Sequence, residues 1–261
     1  MNRARSFIIL TRPEGRSDSL IAKLAENNYS AINIPCLGIK YVESAFNFLS
    51  DYTNSTKLIF VSVNAVEGFF KLYQTPTQSN QLIEKLNKCS VFAIGASTAN
   101  KLKSFGIARV IYPPESIQEN SEDFIKLSQL QDVAQDHIVL VRGDTSREFI
   151  TANLSKKCAS FTEVIVYNTY CPQGLITRDL IKANNDNYIN NHIVLLTSGN
   201  ILDNFYKKLS DDLKTVMLDA KIIVPSTRVA TKAKDIGFKN IYCSNSMNEQ
   251  TILDMIKTIN I

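Results

Sequence analysis

Tryptophan is absent from this 261-residue chain, and histidine occurs only twice, as His137 and His192. Two histidines cannot build a histidine-rich metal centre, and they leave a Ser-His-Asp triad hard to assemble. Each stands at the start of an apolar run, which gives it a structural role. The five cysteines, Cys36, Cys89, Cys158, Cys171 and Cys243, form no Cys-x-x-Cys pair. No metal site and no disulfide framework is therefore indicated, and small core residues are the simplest reading. The glycine fingerprints of dinucleotide and phosphate loops and the G-x-S-x-G elbow are missing. No apolar run approaches the roughly 18 residues of a membrane span. The stretch after the basic N-terminus, Phe7–Leu10, is shorter than the roughly 7–15 residues of a secretory signal. A cytoplasmic protein without membrane attachment is expected. There is no dense run of Lys and Arg, and the net charge is only +4. That mild excess suits a small anionic substrate better than a nucleic acid.

What the chain does have is repeated strand-to-helix units. Apolar residues make up 44% and charged residues 21%, as in an ordinary globular protein. At about 150 residues per domain, two domains are expected. Short apolar runs occur at Phe7–Leu10, Leu58–Val61, Val91–Ile94, His137–Val141, His192–Leu196 and Lys221–Val224. They are continuous rather than alternating, and helical patterns separate them, which indicates parallel sheets covered on both faces. Thr11-Arg12-Pro13-Glu14 reads as a helix start, with Leu20, Leu24 and Ala25 as its inward stripe. Thr145-Ser146-Arg147-Glu148 reads likewise, ahead of Phe149, Ile150 and Leu154.

The units repeat. Val91-Phe-Ala-Ile-Gly-Ala-Ser-Thr-Ala, ending at Phe105-Gly106, resembles Ile222-Ile-Val-Pro-Ser-Thr-Arg-Val-Ala, ending at Ile236-Gly237. Each glycine falls where a helix C-cap needs one, and each is followed by a strand pattern, Val110-Ile-Tyr or Asn240-Ile-Tyr. Leu10-Thr-Arg12 resembles Leu140-Val-Arg142, and Phe60-Val-Ser62 with Asn64 resembles Leu196-Thr-Ser198 with Asn200. Two extended stretches, Ala31–Val42 and Phe161–Pro172, exceed the usual strand length of about 5–6 residues and read as crossovers. The expected fold is α/β: two similar parallel-sheet domains joined by a two-stranded crossover, with a ligand cleft between them. The domains would be 1–38 with 171–261, and 39–170. Asn184–Asn191 reads as a surface loop.

Ligands of open parallel sheets bind beyond the carboxyl ends of the strands. Six such ends lead here into Ser, Thr, Asn, Gly or Arg. Exposed first-turn N–H groups and the positive end of each helix dipole favour anions there, so the substrate should carry several negative charges. For any single junction, ordinary capping explains the same residues; the argument rests on there being six. Arg12 and Arg142 directly follow apolar strands and face the same ends, and Arg147 lies nearby. Tyr167, in the second crossover, is the remaining candidate acid.

In order along the chain, Ile9-Leu-Thr-Arg12-Pro13, Ile59-Phe-Val-Ser62-Val-Asn64-Ala65-Val66, Ala93-Ile-Gly95-Ala-Ser-Thr98-Ala99, Val139-Leu-Val-Arg142-Gly143, Arg147, Val166-Tyr167-Asn-Thr169, Leu196-Thr-Ser198 and Val224-Pro-Ser226-Thr-Arg228 resemble the uroporphyrinogen-III synthase family. The resemblance implies two α/β domains and a lyase that needs no cofactor and no metal. Its substrate would be the linear tetrapyrrole hydroxymethylbilane, which loses water and closes with inversion of the last pyrrole ring. It implies Tyr167 as the acid assisting hydroxyl departure. It also implies Ser62, Thr98 and Ser198 as partners of substrate carboxylates; Arg12, Asn64, Arg142, Arg147 and Arg228, at the strand ends and helix starts, are the further substrate-binding candidates. Many members carry a Gly-x-x-Thr-Ala motif near the C-terminus where this chain has Pro225-Ser226-Thr227-Arg228-Val229. Arg228 would there supply a bidentate carboxylate contact. A monomer is expected, with room for transient contact with the upstream bilane-forming enzyme. Two other readings compete: a non-catalytic two-lobed binding protein for a small polyanion, and a nucleotide-sugar or phosphate transferase on a similar fold.

Overall fold

Strand β1 (Phe7–Leu10) is buried at every residue, as a strand covered on both faces must be. The structure, a computed structural model, describes residues 7–43, 47–51, 55–114, 121–145, 148–177, 180–181, 192–244 and 246–259. The chain divides into two compact units, one of Met1–Gly38 with Tyr170–Ile261 and one of Ile39–Thr169.

The first unit has a five-stranded sheet in the order β10-β9-β8-β1-β2. Its strands are β1, β2 (Ser30–Asn33), β8 (Ile193–Leu195), β9 (Lys221–Val224) and β10 (Asn240–Cys243), and every pairing is parallel. Successive side chains of a strand point to opposite faces, and the core follows that rule. Phe7, Ile9, Val194, Ile222 and Val224 pack with α8 (Gly199–Lys208), α9 (Asp211–Met217) and α10 (Thr227–Ile236). Ile8, Leu10, Ile193, Leu195 and Ile223 pack with α1 (Asp18–Glu26) and α11 (Glu249–Ile259).

The second unit repeats the plan in the order β3-β7-β6-β4-β5. These strands are β3 (Gly38–Tyr41), β4 (Thr56–Phe60), β5 (Ser90–Ala93), β6 (His137–Gly143) and β7 (Ser160–Tyr170). The pairings β7–β6, β6–β4 and β4–β5 are parallel. Leu58, Phe60, Val139, Val141, Val164 and Val166 pack with α3 (Val63–Lys71), α4 (Pro76–Leu86) and α5 (Ala96–Ser104). Ile59, Phe92, Ile138 and Leu140 pack on the other face with α6 (Ser121–Phe124) and α7 (Phe149–Leu154). One short helix, α2 (Phe48–Asp51), precedes β4.

Three local readings are corrected. The first helix starts at Asp18, not at Thr11–Glu14. Gly15 takes a left-handed φ of +71° and Arg16 N–H closes a turn on the Pro13 carbonyl, while the Thr11 hydroxyl donates to the Leu195 carbonyl at 2.5 Å instead of capping a helix. Ala25 faces solvent, and the buried stripe is Leu20 and Leu24. Ala31–Val42 is not one strand but β2 and β3, broken around Pro35. The proline lacks the N–H that pairing needs. The carbonyls of Pro35 and Cys36 accept from Lys208 Nζ at 3.1 Å and Asn204 Nδ2 at 2.8 Å. Val110-Ile-Tyr forms only a single bridge, Ile111 to Phe92, because Pro113 and Pro114 follow and can donate nothing. The second extended stretch does form one long strand, β7, which spans Ser160–Tyr170 and stops before Pro172. Asn184–Asn191 lies outside the described residues.

Candidate active site

Parallel pairing puts the carboxyl ends of β1, β8 and β9 on one edge of the first sheet and those of β4, β5 and β6 on one edge of the second. Three of these ends share one local structure. Ser62, Ser198 and Ser226 each stand in extended backbone as the N-cap of α3, α8 or α10. Each Oγ accepts from the N–H three residues on: Ala65 at 3.0 Å, Ile201 at 3.2 Å and Val229 at 3.5 Å. That bond satisfies one of the first-turn donors and leaves others facing outward. Gly95 occupies the equivalent place before α5 without a side chain.

In the second unit the structure brings two of the sequence-derived residues, Ser62 and Tyr167, into contact. The Tyr167 hydroxyl lies 3.1 Å from Ser62 Oγ. Because Ser62 Oγ already accepts from Ala65 N–H, it retains one proton and one acceptor position. If Ser62 donates to the phenol oxygen, the phenolic proton is left for another acceptor. Tyr167 is 8% exposed and belongs to the same apolar cluster as Val141, Val164 and Val166. Burial pushes the Tyr167 phenol above its ordinary pKa; the Ser62 hydrogen bond works against that, the Asp144 carboxylate adds to it, and the Arg142 guanidinium opposes it. Asn64 is half-buried in the first turn of α3. Arg142 is buried and paired: Nη1 lies 3.1 Å from Glu163 Oε2, and Nε and Nη2 donate to the carbonyls of Gly143 and Asp144 at 3.1 and 3.3 Å. Thr98, in the first turn of α5, is buried as well. Arg147 lies outside the described residues.

In the first unit, Ser198 and Arg228 are neighbours. A Cβ on Gly199 would stand 3.9 Å from Arg228 Nη1, so the exposed guanidinium of α10 hangs beside the first turn of α8. Arg12 is half-buried, and its Nη2 donates to the Met247 carbonyl at 2.8 Å. Burial lowers the Arg12 pKa, and Glu249 opposes the shift.

The histidines are at the opposite strand ends. His137 opens β6 and bonds Ser160 Oγ, and His192 precedes β8 with its ring edge-on to Phe7. The core reading of the cysteines holds for Cys36 alone; Cys89, Cys158 and Cys171 are half-buried and Cys243 is exposed. They sit at strand and helix ends, with Cys89 and Cys158 packed against the margins of the second unit's apolar clusters. No group of three or more metal-binding side chains occurs among the described residues. Gly143 lies against the Tyr167 ring and Asp144 N–H donates to the Tyr167 carbonyl, and neither is a site candidate in the sequence reading. Gly143, directly after the Arg142 strand end, carried the only signal.

Comparison with known proteins decides the family. The uroporphyrinogen-III synthase HemD model matches residues 18–254. The chain belongs to that family. A uroporphyrinogen-III synthase of Escherichia coli (strain K12) is 23% identical over 251 residues, covering 94% of this chain and 98% of the relative. One of Proteus mirabilis is 27% identical over 164 residues, covering 61% and 78%. The fold matches a crystal structure of uroporphyrinogen-III synthetase from Helicobacter pylori 26695 with a TM-score of 0.64 at 14% identity, over 98% of this chain and 99% of that one. A mutant uroporphyrinogen III synthase from the extremely thermophilic bacterium Thermus thermophilus matches with a TM-score of 0.56 at 13% identity, over 97% and 98%. Membership places this chain among cyclising lyases of tetrapyrrole biosynthesis and favours that reading over a non-catalytic binder. No helix among the described residues is long and apolar enough to cross a membrane.

Proposed function

We propose that this protein converts hydroxymethylbilane into uroporphyrinogen III, with Tyr167 as the acid. The observation that carries the assignment of roles is the Tyr167 hydroxyl resting 3.1 Å from the capping serine of α3, at the carboxyl end of the second sheet. The phenolic proton passes to the departing hydroxyl, which leaves as water. Ser62 Oγ–H then donates to the phenolate oxygen, and the proton released when the ring closes restores the phenol. The bilane supplies its own driving force, since an electron-rich pyrrole expels the hydroxyl. The protein's larger task is to hold the chain curled so that the correct carbon attacks.

Ser62, Asn64, Thr98, Arg12, Ser198 and Arg228 bind the substrate's carboxylates. Arg147 belongs to the same set. Arg142, already bonded to Glu163, contributes by holding the β6 end in place. No metal or cofactor takes part. The protein acts as a cytoplasmic monomer and meets the enzyme that supplies the bilane only transiently.

The test is incubation with freshly prepared hydroxymethylbilane, followed by oxidation and isomer analysis of the porphyrin. The rearranged III isomer is expected. The unrearranged I isomer alone, as forms spontaneously, would overturn the reading. Tyr167→Phe should lower kcat by about 10²–10⁴-fold, the usual worth of a general acid, with KM little changed.

A further inference from the structure

Tyr167 reaches Ser62 only by crossing a strand. β7, β6 and β4 lie side by side; Tyr167 is on the first, and Ser62 follows the last. The strand between them ends in Gly143. A Cβ there would overlap Cε2 and Cζ of the Tyr167 ring and stand 2.9 Å from its hydroxyl oxygen. Any side chain at 143 would occupy the space the ring now fills.

The facing of Tyr167 is itself irregular. Along β7, Val164 is buried, Ile165 is exposed and Val166 is buried. Strict alternation would turn Tyr167 outward with Ile165. Instead the register slips: Arg142 pairs with Ile165, but Gly143 pairs with Tyr167. The extra residue is a β-bulge, which re-aims the side chain that follows it, and Tyr167 joins Val164 and Val166 on the α3 face.

Asp144 ties the two strands together just past the slip. Its N–H donates to the Tyr167 carbonyl at 3.1 Å. Its Oδ1 accepts from Thr145 N–H at 2.8 Å, Thr169 N–H at 3.1 Å and Thr169 Oγ1 at 3.4 Å. The Thr145 and Thr169 hydroxyls lie 3.0 Å apart and close the ring of contacts.

We propose that Gly143 and Asp144 are positioning residues for the reaction: the bare glycine gives the Tyr167 ring its path across β6, and the Asp144 carboxylate fixes the bulge that aims it at Ser62. The proposal rests on the reading of Tyr167 as the acid. Neither residue touches substrate; both act through the phenol.

The full chain is made with 13C at the tyrosine Cζ, and Gly143→Ala, Asp144→Ala and Asp144→Asn are compared with the parent. The Tyr167 resonance is assigned by its loss in Tyr167→Phe. Gly143→Ala and Asp144→Ala should move that resonance at neutral pH. Each should lower kcat by at least about 10-fold, part of what a general acid supplies, with KM within about 2-fold. Asp144→Asn keeps the Oδ1 acceptor and should recover most of kcat. In a Tyr167→Phe background the Gly143→Ala loss should vanish, because effects that act through one group are not additive. Should Gly143→Ala not fold, Asp144 is exposed and its two variants carry the test. Parental kcat and an unmoved resonance in Gly143→Ala or Asp144→Ala, alongside a Tyr167→Phe loss, would overturn the positioning claim alone. So would a Gly143→Ala loss that persists undiminished in Tyr167→Phe. Parental kcat in Tyr167→Phe by itself would sink the acid reading and this proposal with it.

Discussion

Replacing Ser62 by alanine removes two hydrogen bonds at one atom. The Oγ caps α3 through Ala65 N–H and meets the Tyr167 hydroxyl on its other side. Loss of a serine N-cap costs about 1 kcal/mol. The phenol hydroxyl, in a residue only 8% exposed, then loses its protein partner, and an unsatisfied buried polar group costs about 1–3 kcal/mol. Ser62→Ala should therefore destabilise the second unit by about 2–4 kcal/mol, while Ser62→Gly, which caps within a few tenths of serine, should show mainly the phenol's share. In a Tyr167→Phe background there is no hydroxyl to strand, and Ser62→Ala should cost only the cap. The coupling of about 1–3 kcal/mol is read from urea unfolding of the four proteins, followed by tyrosine absorbance and far-ultraviolet circular dichroism. Strictly additive costs would show that the two hydroxyls do not interact, and the proton path drawn through Ser62 would fall with them.

Gly68 of α3 sits against β7: a Cβ there would lie 2.8 Å from the Val166 carbonyl oxygen, a backbone atom with little room to yield. Gly68→Ala should cost about 1–3 kcal/mol by overpacking and lower kcat by pushing the α3 start away from Tyr167; unchanged stability would refute the close approach. Arg142→Ala should appear in unfolding measurements, because Glu163 loses the cation it pairs with, and not in a salt-dependent KM. Arg228→Ala should raise KM more at low salt than at high salt, as an exposed charge does. Burial pushes the Cys36 thiol up to about 12, against a smaller lowering by Lys208. At pH 8 a disulfide reagent should therefore modify exposed Cys243 long before Cys36. The linkage has one sign: a pKa raised by folding gives stability that is complete below the thiol's ordinary value and lost as pH rises through about 12. Rapid modification of Cys36 in the folded protein would contradict its burial.

The central strands could be read from sequence because both of their faces are covered. Ile8 and Ile9 point opposite ways, yet both must be apolar, so such a strand announces itself as an unbroken run. The serine junctions were legible for the same kind of reason, since a cap is a local arrangement within four residues. The first helix was misread because the Thr11 hydroxyl goes to Leu195, 184 residues away, and no local pattern reports that. The Ser62–Tyr167 pair, 105 residues apart, was hidden likewise. Alternation along β7, applied without the bulge, would even have turned Tyr167 outward.

Strand order then explains how such a site tolerates change in the sequence around it. Ser62, Gly143 and Tyr167 come from three adjacent parallel strands, β4, β6 and β7, whose pairing is made by backbone atoms. Side chains enter the arrangement at few points: a hydroxyl that caps α3, a missing Cβ at 143, a carboxylate that holds the slip, and the phenol itself. The rest of each strand needs only to be apolar and of suitable volume, a demand many sequences meet. A fold shared at 14% identity over almost the whole chain is what that division of labour permits. It also places the sensitive positions. Substitutions within Leu58–Phe60 or Val139–Val141 that conserve volume should be tolerated, whereas one added methyl at Gly143 should not.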